Sequence, residues 1–370
     1  MARRRATRQP HGFHRPQFAA RHHRGRLHEV PGGATRSGMS MTLKTLEAGA
    51  PLTGGGFAGR AYAVADGDGH VHVCGFDGSV AARKLHEGAI LAVATDEKSG
   101  AIITAGDDGK AIRIRPDGEP ETLHDGRKWV DTVAASPRGH VAWSAGKTIY
   151  LLPKGADNPV EASAASSISA LSFSPDGKWL GAAVYGGAFL IRLSKPSETA
   201  MLSWQGAHNA IGFSPDGRFC VTSMLENALH VWRIDKPEEK HGKMGGYPAK
   251  PVSYDWTADG RYLATAGAEV LVLWPFFGAD GPIGQQAGVF SREQDLLSRT
   301  VAARPNSQQI AIGYVDGSVA LFDRKTQQFM DIATEHEAGA VNALSFSADG
   351  RWLGFTRERG VAGLADLGKG

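Results

Sequence analysis

Short runs of alternating apolar and polar residues, separated by tight-turn signals, extend along most of the chain. One phrase recurs in four clear copies: SFSPDGKWLG at 172–181, GFSPDGRF at 212–219, DWTADGRYL at 255–263 and SFSADGRWLG at 345–354. In each copy the Asp-Gly pair predicts a tight turn between two strands, because glycine accepts a left-handed backbone conformation. A recurrence near forty residues indicates stacked modules of one kind.

The same order of strands and turns extends beyond these four copies. Each unit contains a strand, a turn, a second strand, an Asp-Gly or Gly-Gly hairpin, a third strand and a more variable fourth segment. The third strands align at spacings of 37 to 48 residues on Cys74, Arg115, Leu152, Arg192, Trp232, Trp274, Phe322 and Ala365. This pattern predicts eight antiparallel units, with no segment of helical period between them.

These repeats resemble the WD40-repeat family of β-propellers over residues 41–370. The resemblance depends on the SPDG turns, on aromatic residues that end third strands, and on three Asp-Gly hairpins, Asp68-Gly69, Asp108-Gly109 and Asp316-Gly317. The Trp-Asp pair itself is absent, and three histidines, His86, His208 and His336, stand only roughly where the family places its Gly-His element. Few units are therefore expected to complete the family's hydrogen-bond network of Asp, His, Ser or Thr, and Trp.

The resemblance implies an all-β, WD40-like β-propeller with eight blades of four antiparallel strands, or seven as the alternative. A four-stranded unit cannot bury both faces alone, so units stack radially into a ring. The last unit stops after its third strand, at Asp366, and strand 43–48 has no unit before it. We expect this N-terminal strand to complete the last blade and close the ring.

Charge separates a tail from the repeats. The chain has 41 Lys and Arg against 38 Asp and Glu, a net charge of +3. Residues 1–38 hold nine Arg and one acid, so the remainder has 32 basic and 37 acidic residues, a net charge of −5. We expect residues 1–40 to be a disordered Arg/His-rich tail, because they cannot bury enough apolar surface to offset chain entropy. Residues 41–370 are expected to form a single propeller domain.

The tail leaves three interpretations open. It could be a basic arm that touches nucleic acid or acidic lipid, a mitochondrial transit peptide, or translated upstream sequence before a true start at Met39 or Met41. The two cysteines, Cys74 and Cys220, are expected to be free thiols in a reducing compartment, so we predict a cytoplasmic protein. No apolar stretch approaches the length of a membrane span.

Motifs for catalysis and cofactor binding are absent from the sequence. It contains no P-loop, HExxH or GxSxG. Asp66, Asp68 and Asp107 are expected to shape hairpin turns. The series His70-x-His72-x-Cys74 is a metal hypothesis, but a strand with one polar face is favoured, so neither a metal nor a cofactor is predicted.

Binding residues are expected near the starts of innermost strands and in the longer connections, because the loops of a propeller converge at its ring faces. Aromatic and arginine side chains are enriched in interface hot spots. For Phe276 and Phe277 an exposed apolar patch and a cover for a blade edge stay open. The candidates are Lys128, Trp129, Trp204, His208, Asn209, Lys250, Phe276, Phe277 and Arg299.

The sequence therefore favours a non-enzymatic, monomeric scaffold that binds a protein or peptide on a propeller face. One alternative is a propeller that binds a small ligand or catalyses a reaction in its central channel. A second is a nucleic-acid-associated protein, which requires the basic tail to be native; the acidic body makes this partner class unfavourable.

Overall fold

The computed structural model describes residues 28–31, 41–96, 98–115 and 118–368, and its regular structure in these ranges is entirely β. No helix occurs there, and hence none that is long and apolar enough to cross a membrane. Strands β1 and β2 precede the first unit, and four strands form each of the first three units. Their bounds are β1 His28–Pro31, β2 Thr42–Glu47, β3 Leu52–Ala58, β4 Ala61–Asp66, β5 His70–Gly75, β6 Val80–Lys84, β7 Ile90–Asp96, β8 Ala101–Gly106, β9 Lys110–Ile114, β10 Glu121–Asp125, β11 Thr132–Ala135, β12 Val141–Ala145, β13 Thr148–Leu152 and β14 Val160–Ser163.

The fourth to eighth units follow in the same antiparallel manner. Their strands are β15 Ala170–Phe173, β16 Trp179–Arg192, β17 Thr199–Phe213, β18 Phe219–Met224, β19 Ala228–Arg233, β20 His241–Met244, β21 Tyr254–Trp256, β22 Tyr262–Thr265, β23 Val270–Pro275, β24 Gly288–Ser291, β25 Ser298–Ala303, β26 Gln309–Tyr314, β27 Val319–Asp323, β28 Gln328–Ala333, β29 Val341–Phe346, β30 Trp352–Arg357 and β31 Val361–Asp366.

The described strands form seven hydrogen-bonded sheets. This count supports the seven-blade alternative, and the expectation of eight blades is not supported. The fourth and fifth repeat units share one six-stranded sheet, β15-β16-β17-β18-β19-β20. The physical reason is that β17 is uninterrupted: its first half pairs with β16 and its second half with β18. Within β16 the chain turns back on itself, since Leu193 N donates to Lys178 O at 2.8 Å.

The innermost strands contact one another in ring order. Strand β3 contacts β7, β7 contacts β11, β11 contacts β15, and β15 contacts β17. Tyr254 Oη donates to Val221 O at 3.2 Å and links the fifth unit to the sixth. Contacts of β21 with β25, β25 with β29, and β29 with β3 complete the circuit. Buried apolar clusters fill the spaces between successive units.

The ring is closed as the sequence predicts. Strand β2 pairs antiparallel with β31, with Leu43 opposite Ala365 and Leu46 opposite Ala362. The N-terminal strand is thus the fourth strand of the last unit. Residues 28–31, within the segment expected to be disordered, pair with β2 as a fifth strand. The rest of the predicted tail, residues 1–27 and 32–40, lies outside the described residues.

A buried hydroxyl on the second strand is bonded in more units than predicted. In the second unit, His86 contacts Thr104 Oγ1 at 2.8 Å and Asp108 Oδ1 at 2.9 Å. In the sixth, Tyr247 Oη contacts Thr265 Oγ1 at 2.7 Å and accepts the Trp274 indole N–H at 2.6 Å. Tyr247 therefore takes the place of the histidine in the sixth unit, and the hydrogen-bond network is retained with different side chains.

The same connection occurs in three further units. The contacts are Thr132 Oγ1 to Ser144 Oγ at 2.6 Å, His208 Nδ1 to Thr222 Oγ1 at 2.7 Å, and Thr356 Oγ1 to Asn342 Oδ1 at 2.6 Å. Each ties the strand or loop at the entry of a unit to its second strand. His336, expected in this role, is instead exposed, and its Nδ1 accepts the backbone N–H of Ala338 at 3.0 Å.

Candidate functional site

Exposed apolar side chains are concentrated at one end of the ring. The loops that enter the innermost strands and the hairpins between second and third strands lie at the same end, because neighbouring strands are antiparallel. We call this end the loop face. Of the nine large apolar residues that are exposed in the described ranges, five lie in these connections: Trp129, Tyr185, Leu225, Val252 and Val315. Such clustering marks an interaction surface better than scattered exposure does.

Four of these five residues belong to consecutive units, the third to the sixth. Their connections comprise residues 127–131, 146–147, 164–166, 185–186, 225–227 and 248–252, which we call the loop arc. The arc is continuous because neighbouring connections bond to each other. Lys147 Nζ donates to Ala165 O at 2.9 Å, and Tyr185 N donates to Ser166 Oγ at 2.9 Å.

The loop that carries Trp129 is fixed on both sides. Before Trp129, Gly126 N donates to Gly109 O at 3.0 Å. After it, Val130 N donates to Gly106 O at 3.1 Å, and Ser144 Oγ donates to Asp131 Oδ1 at 3.2 Å. Between the anchors at Gly126 and Val130, Trp129 is 63% exposed. The indole therefore stands on a rigid base and loses little freedom when it is covered, a property of good anchor residues.

Tyr185 begins a hairpin that requires glycine. Gly186 and Gly187 have φ of 90° and 137°, which an L side chain rarely adopts. An added Cβ at Gly187 would also lie 1.9 Å from Leu202 O. The turn therefore holds Tyr185 at the loop face, where its side chain is 70% exposed.

The far end of the arc is held by an asparagine in the left-handed region. Asn227 has φ of 52°, and its Nδ2 donates to Pro248 O at 3.0 Å. Leu225 N donates to Ala207 O at 3.0 Å in the same hairpin. The bond from Asn227 connects the hairpin of the fifth unit with the loop of the sixth, which contains Val252.

Four exposed cations lie in the arc: Arg127, Lys128, Lys147 and Lys250. The aliphatic part of Lys128 lies against Gly146, where an added Cβ would meet Cδ at 3.7 Å. None of the four forms an ion pair with another residue of the described ranges, whereas many surface arginines elsewhere pair with a carboxylate, such as Arg113 with Glu121 at 2.7 Å. The arc therefore combines apolar surface with four cations that form no ion pair, against two carboxylates, Asp131 and Glu226.

The nine candidate residues from the sequence are divided between several places. Lys128, Trp129 and Lys250 lie in the arc. Arg299 is on the loop face but pairs with Glu358 at 3.7 Å. Phe276 is buried against Phe219 and Trp256, so for this residue the blade-edge interpretation holds. The other four are Phe277, exposed at the opposite end beside Tyr262, half-buried Trp204 and Asn209, and fully buried His208.

Trp204 and His208 belong to an internal histidine–aromatic cluster in the fifth unit. His230 is fully buried, stacks on Trp204 with ring centroids 4.2 Å apart, and has Nε2 3.2 Å from Nδ1 of His241. Burial, and then the nearby His241, His208 and Lys243, lower the pKa of His230 to about 3. Burial also lowers the pKa of His208. These histidines are neutral core residues at physiological pH.

The channel side of the ring offers a shallow apolar space. A cavity of about 380 Å³ lies between β11 and β15, lined mainly by Val133, Leu171, Phe173 and neighbouring Ala, Pro and Ser residues, without an ionisable side chain. Asp255, on the innermost strand β21, accepts the backbone N–H of Trp256 at 2.8 Å and of Ala303 at 2.9 Å. Burial raises its pKa to about 6. Its two oxygens thus join two units.

The residues of the metal hypothesis are engaged in other contacts. His72 Nε2 lies 2.8 Å from Asp66 Oδ2, which fixes the hairpin of the first unit. Burial raises the pKa of the Cys74 thiol to about 12. Within the ranges that the structure describes, no group of three or more His, Cys, Asp or Glu side chains is arranged to hold a metal ion.

Comparison with known proteins agrees with this fold. No family model matches the chain. The guanine nucleotide-binding protein subunit beta of Oryza sativa subsp. japonica is 24% identical over 173 residues, which are 43% of this chain and 44% of that protein. The chain thus spans less than half the length of this relative. The crystal structure of the computationally designed Ika8 protein has a TM-score of 0.70 at 16% identity and covers 87% of this chain and 98% of its own, a likeness of fold alone. Weak homology and the propeller fold together support the WD40-repeat propeller family.

Sequence reasoning missed Tyr185, Leu225 and Val252. A signal for Tyr185 was present, because an aromatic residue directly before a Gly-Gly hairpin has little backbone around it to be buried against. Leu225 and Val252 gave no such signal. Their exposure depends on where neighbouring units end, which repeat spacing does not encode.

Proposed function

We propose that this protein is a non-enzymatic scaffold that binds a protein or peptide at the loop arc. The observation that carries the proposal is the arc itself: exposed Trp129, Tyr185, Leu225 and Val252 on contiguous, hydrogen-bonded loops. Tryptophan and tyrosine on rigid supports are the side chains that contribute most to protein interfaces.

We propose a monomer in the cytoplasm, which the two buried free thiols, Cys74 and Cys220, support, because such cysteines suit a reducing compartment. Residues 41–370 are proposed to form the propeller domain, to whose last blade β1 adds a strand.

Affinity capture from the source cell tests the site. The double variant Trp129→Ser/Tyr185→Ser should lose a partner that the wild-type chain retains, with its thermal midpoint nearly unchanged because both side chains are exposed. Phe277→Ser, at the opposite end of the ring, is the matched control and should retain the partner. Retention by the double variant together with loss in the control would contradict the proposal.

A further inference from the structure

We infer that the third- and fourth-unit sector of the loop arc recognises an acidic segment of a partner protein, one that carries aspartate or glutamate beside an apolar side chain. This sector consists of residues 127–131, 146–147, 164–166 and 185–186. The inference rests on the proposed function and adds the chemistry of the partner.

The sector presents apolar surface and positive charge side by side. Arg127 and Lys128 adjoin Trp129 in the chain, and Lys147 is on the neighbouring hairpin that Lys128 covers. The Lys147 ammonium also reaches the carbonyl of Ala165, which fixes it next to Ser166 and hence beside Tyr185. Three cations therefore lie on the loops and hairpins of the sector that carries Trp129 and Tyr185. The single carboxylate among them, Asp131, accepts a hydrogen bond from Ser144.

The polar atoms of the Trp129 and Tyr185 side chains are also available to a ligand. Neither the indole N–H of Trp129 nor the phenol O–H of Tyr185 has a hydrogen-bond partner within the described ranges. A carboxylate would accept hydrogen bonds from both side chains and would pair with the neighbouring cations. An apolar neighbour of that carboxylate would cover the ring faces.

The charge around the sector favours a short acidic peptide over a nucleic acid. Basic and aromatic residues together could also stack and pair with a single strand. However, a strand that crossed the loop face would meet exposed carboxylates on the first, second and eighth units. These are Asp68, Glu87, Glu335, Glu337 and Glu358. The positive sector is local, so it suits one or two carboxylates rather than a continuous polyanion.

Selection from a library of displayed random twelve-residue peptides tests the inference. Peptides are selected on the full chain and then counter-selected on Trp129→Ser/Tyr185→Ser. Peptides whose binding depends on the Trp129 and Tyr185 side chains should be enriched in Asp and Glu together with apolar residues. Their binding to Lys128→Glu should be at least tenfold weaker than to the wild type and should weaken with added salt. Lys154→Glu, on the same unit at the opposite end of the ring, is the matched control and should bind like the wild type.

The outcomes separate the two proposals. Peptides that need Trp129 and Tyr185 for binding but lack acidic residues would overturn the acidic partner and leave the proposed scaffold function intact. Equal binding to Lys128→Glu and to the wild type would do the same. If no selected peptide needed Trp129 and Tyr185 for binding, both the acidic partner and the proposed binding site would be overturned. Tighter binding of a twenty-residue oligothymidylate than of the selected peptides, lost in the same variants, would assign the sector to nucleic acid and overturn the inference.

Discussion

The buried histidine of the fifth unit should make the fold sensitive to acid. His230 is fully inaccessible, stacks on Trp204 and lies 4.4 Å, centroid to centroid, from Trp232. Its Nδ1 has no hydrogen-bond partner among the described residues, so the ring has no group ready to stabilise a second proton. Burial and the neighbouring positive groups lower its pKa to about 3.

The sign and size of the effect follow from this pKa. In the unfolded chain a histidine binds its proton near pH 6.5, while folded His230 remains neutral until about pH 3. Between these values the unfolded state holds one more proton, so the free energy of unfolding falls as the pH is lowered. The loss is about 1.4 kcal/mol per pH unit, or about 3 kcal/mol between pH 6.5 and pH 4.5. The stability is fully present above pH 6.5.

Urea unfolding at pH 7.5 and at pH 4.5 measures this difference. The wild-type chain and His230→Phe are compared, because phenylalanine keeps a ring between Trp204 and Trp232 but cannot titrate. We expect the free energy of unfolding of the variant to decrease by about 3 kcal/mol less than that of the wild type over this pH interval, whatever its absolute stability. Trp204→Phe is the control: it alters the stack without removing a histidine, so its loss should match that of the wild type.

An equal pH dependence in the wild type and in His230→Phe would contradict the depressed pKa of His230. It would mean that the unfolded and folded states protonate this histidine together, as an accessible side chain does. A steeper dependence in the variant would refute it as well.

Three other predictions concern the fold. Because burial raises the pKa of Asp255 to about 6, its contribution to the free energy of unfolding should be present below pH 4 and should fall by up to about 3 kcal/mol as the pH rises to 7. In urea unfolding at several pH values, Asp255→Asn should abolish this decrease. Tyr247→Phe should lower the free energy of unfolding by about 2–3 kcal/mol in thermal or urea unfolding, because it leaves Thr265 and Trp274 without a hydrogen-bond partner. Trp274→Phe should then lower it less in the Tyr247→Phe background than in the wild type, and strict additivity would contradict the network. Leu46→Ala, in the ring-closing strand, should lower the free energy of unfolding by about 2–5 kcal/mol, whereas exposed Glu47→Ala should change it little; equal effects would show that this strand does not hold the ring.

Local turn chemistry was enough to predict the antiparallel units and the closing strand. Asp-Gly and Gly-Gly pairs mark the hairpins in the structure, and strand 43–48 had no unit before it to join. The same signals could not show that the fourth and fifth units share a sheet. That depends on β17 continuing without a break through Trp204, a property of long-range pairing rather than of any turn residue.

The candidate site was only partly predictable for a related reason. Trp129 and Phe276 have similar apolar character, yet one is 63% exposed and the other 3%. Phe276 N donates to Arg261 O at 2.7 Å, and its ring meets the edges of Phe219 and Trp256, contacts made by distant parts of the chain. Tyr247 shows the same limit, since a family motif based on histidine does not reveal a tyrosine in its place.

Site-specific photo-crosslinking in the source cell tests directly whether the loop arc binds a protein. A photoreactive phenylalanine analogue is placed at Trp129 in one chain and at Phe277, at the opposite end of the ring, in another. Our account predicts a discrete protein adduct from position 129, which disappears when Tyr185→Ser is added, and none from position 277. An adduct from position 277 alone would contradict it.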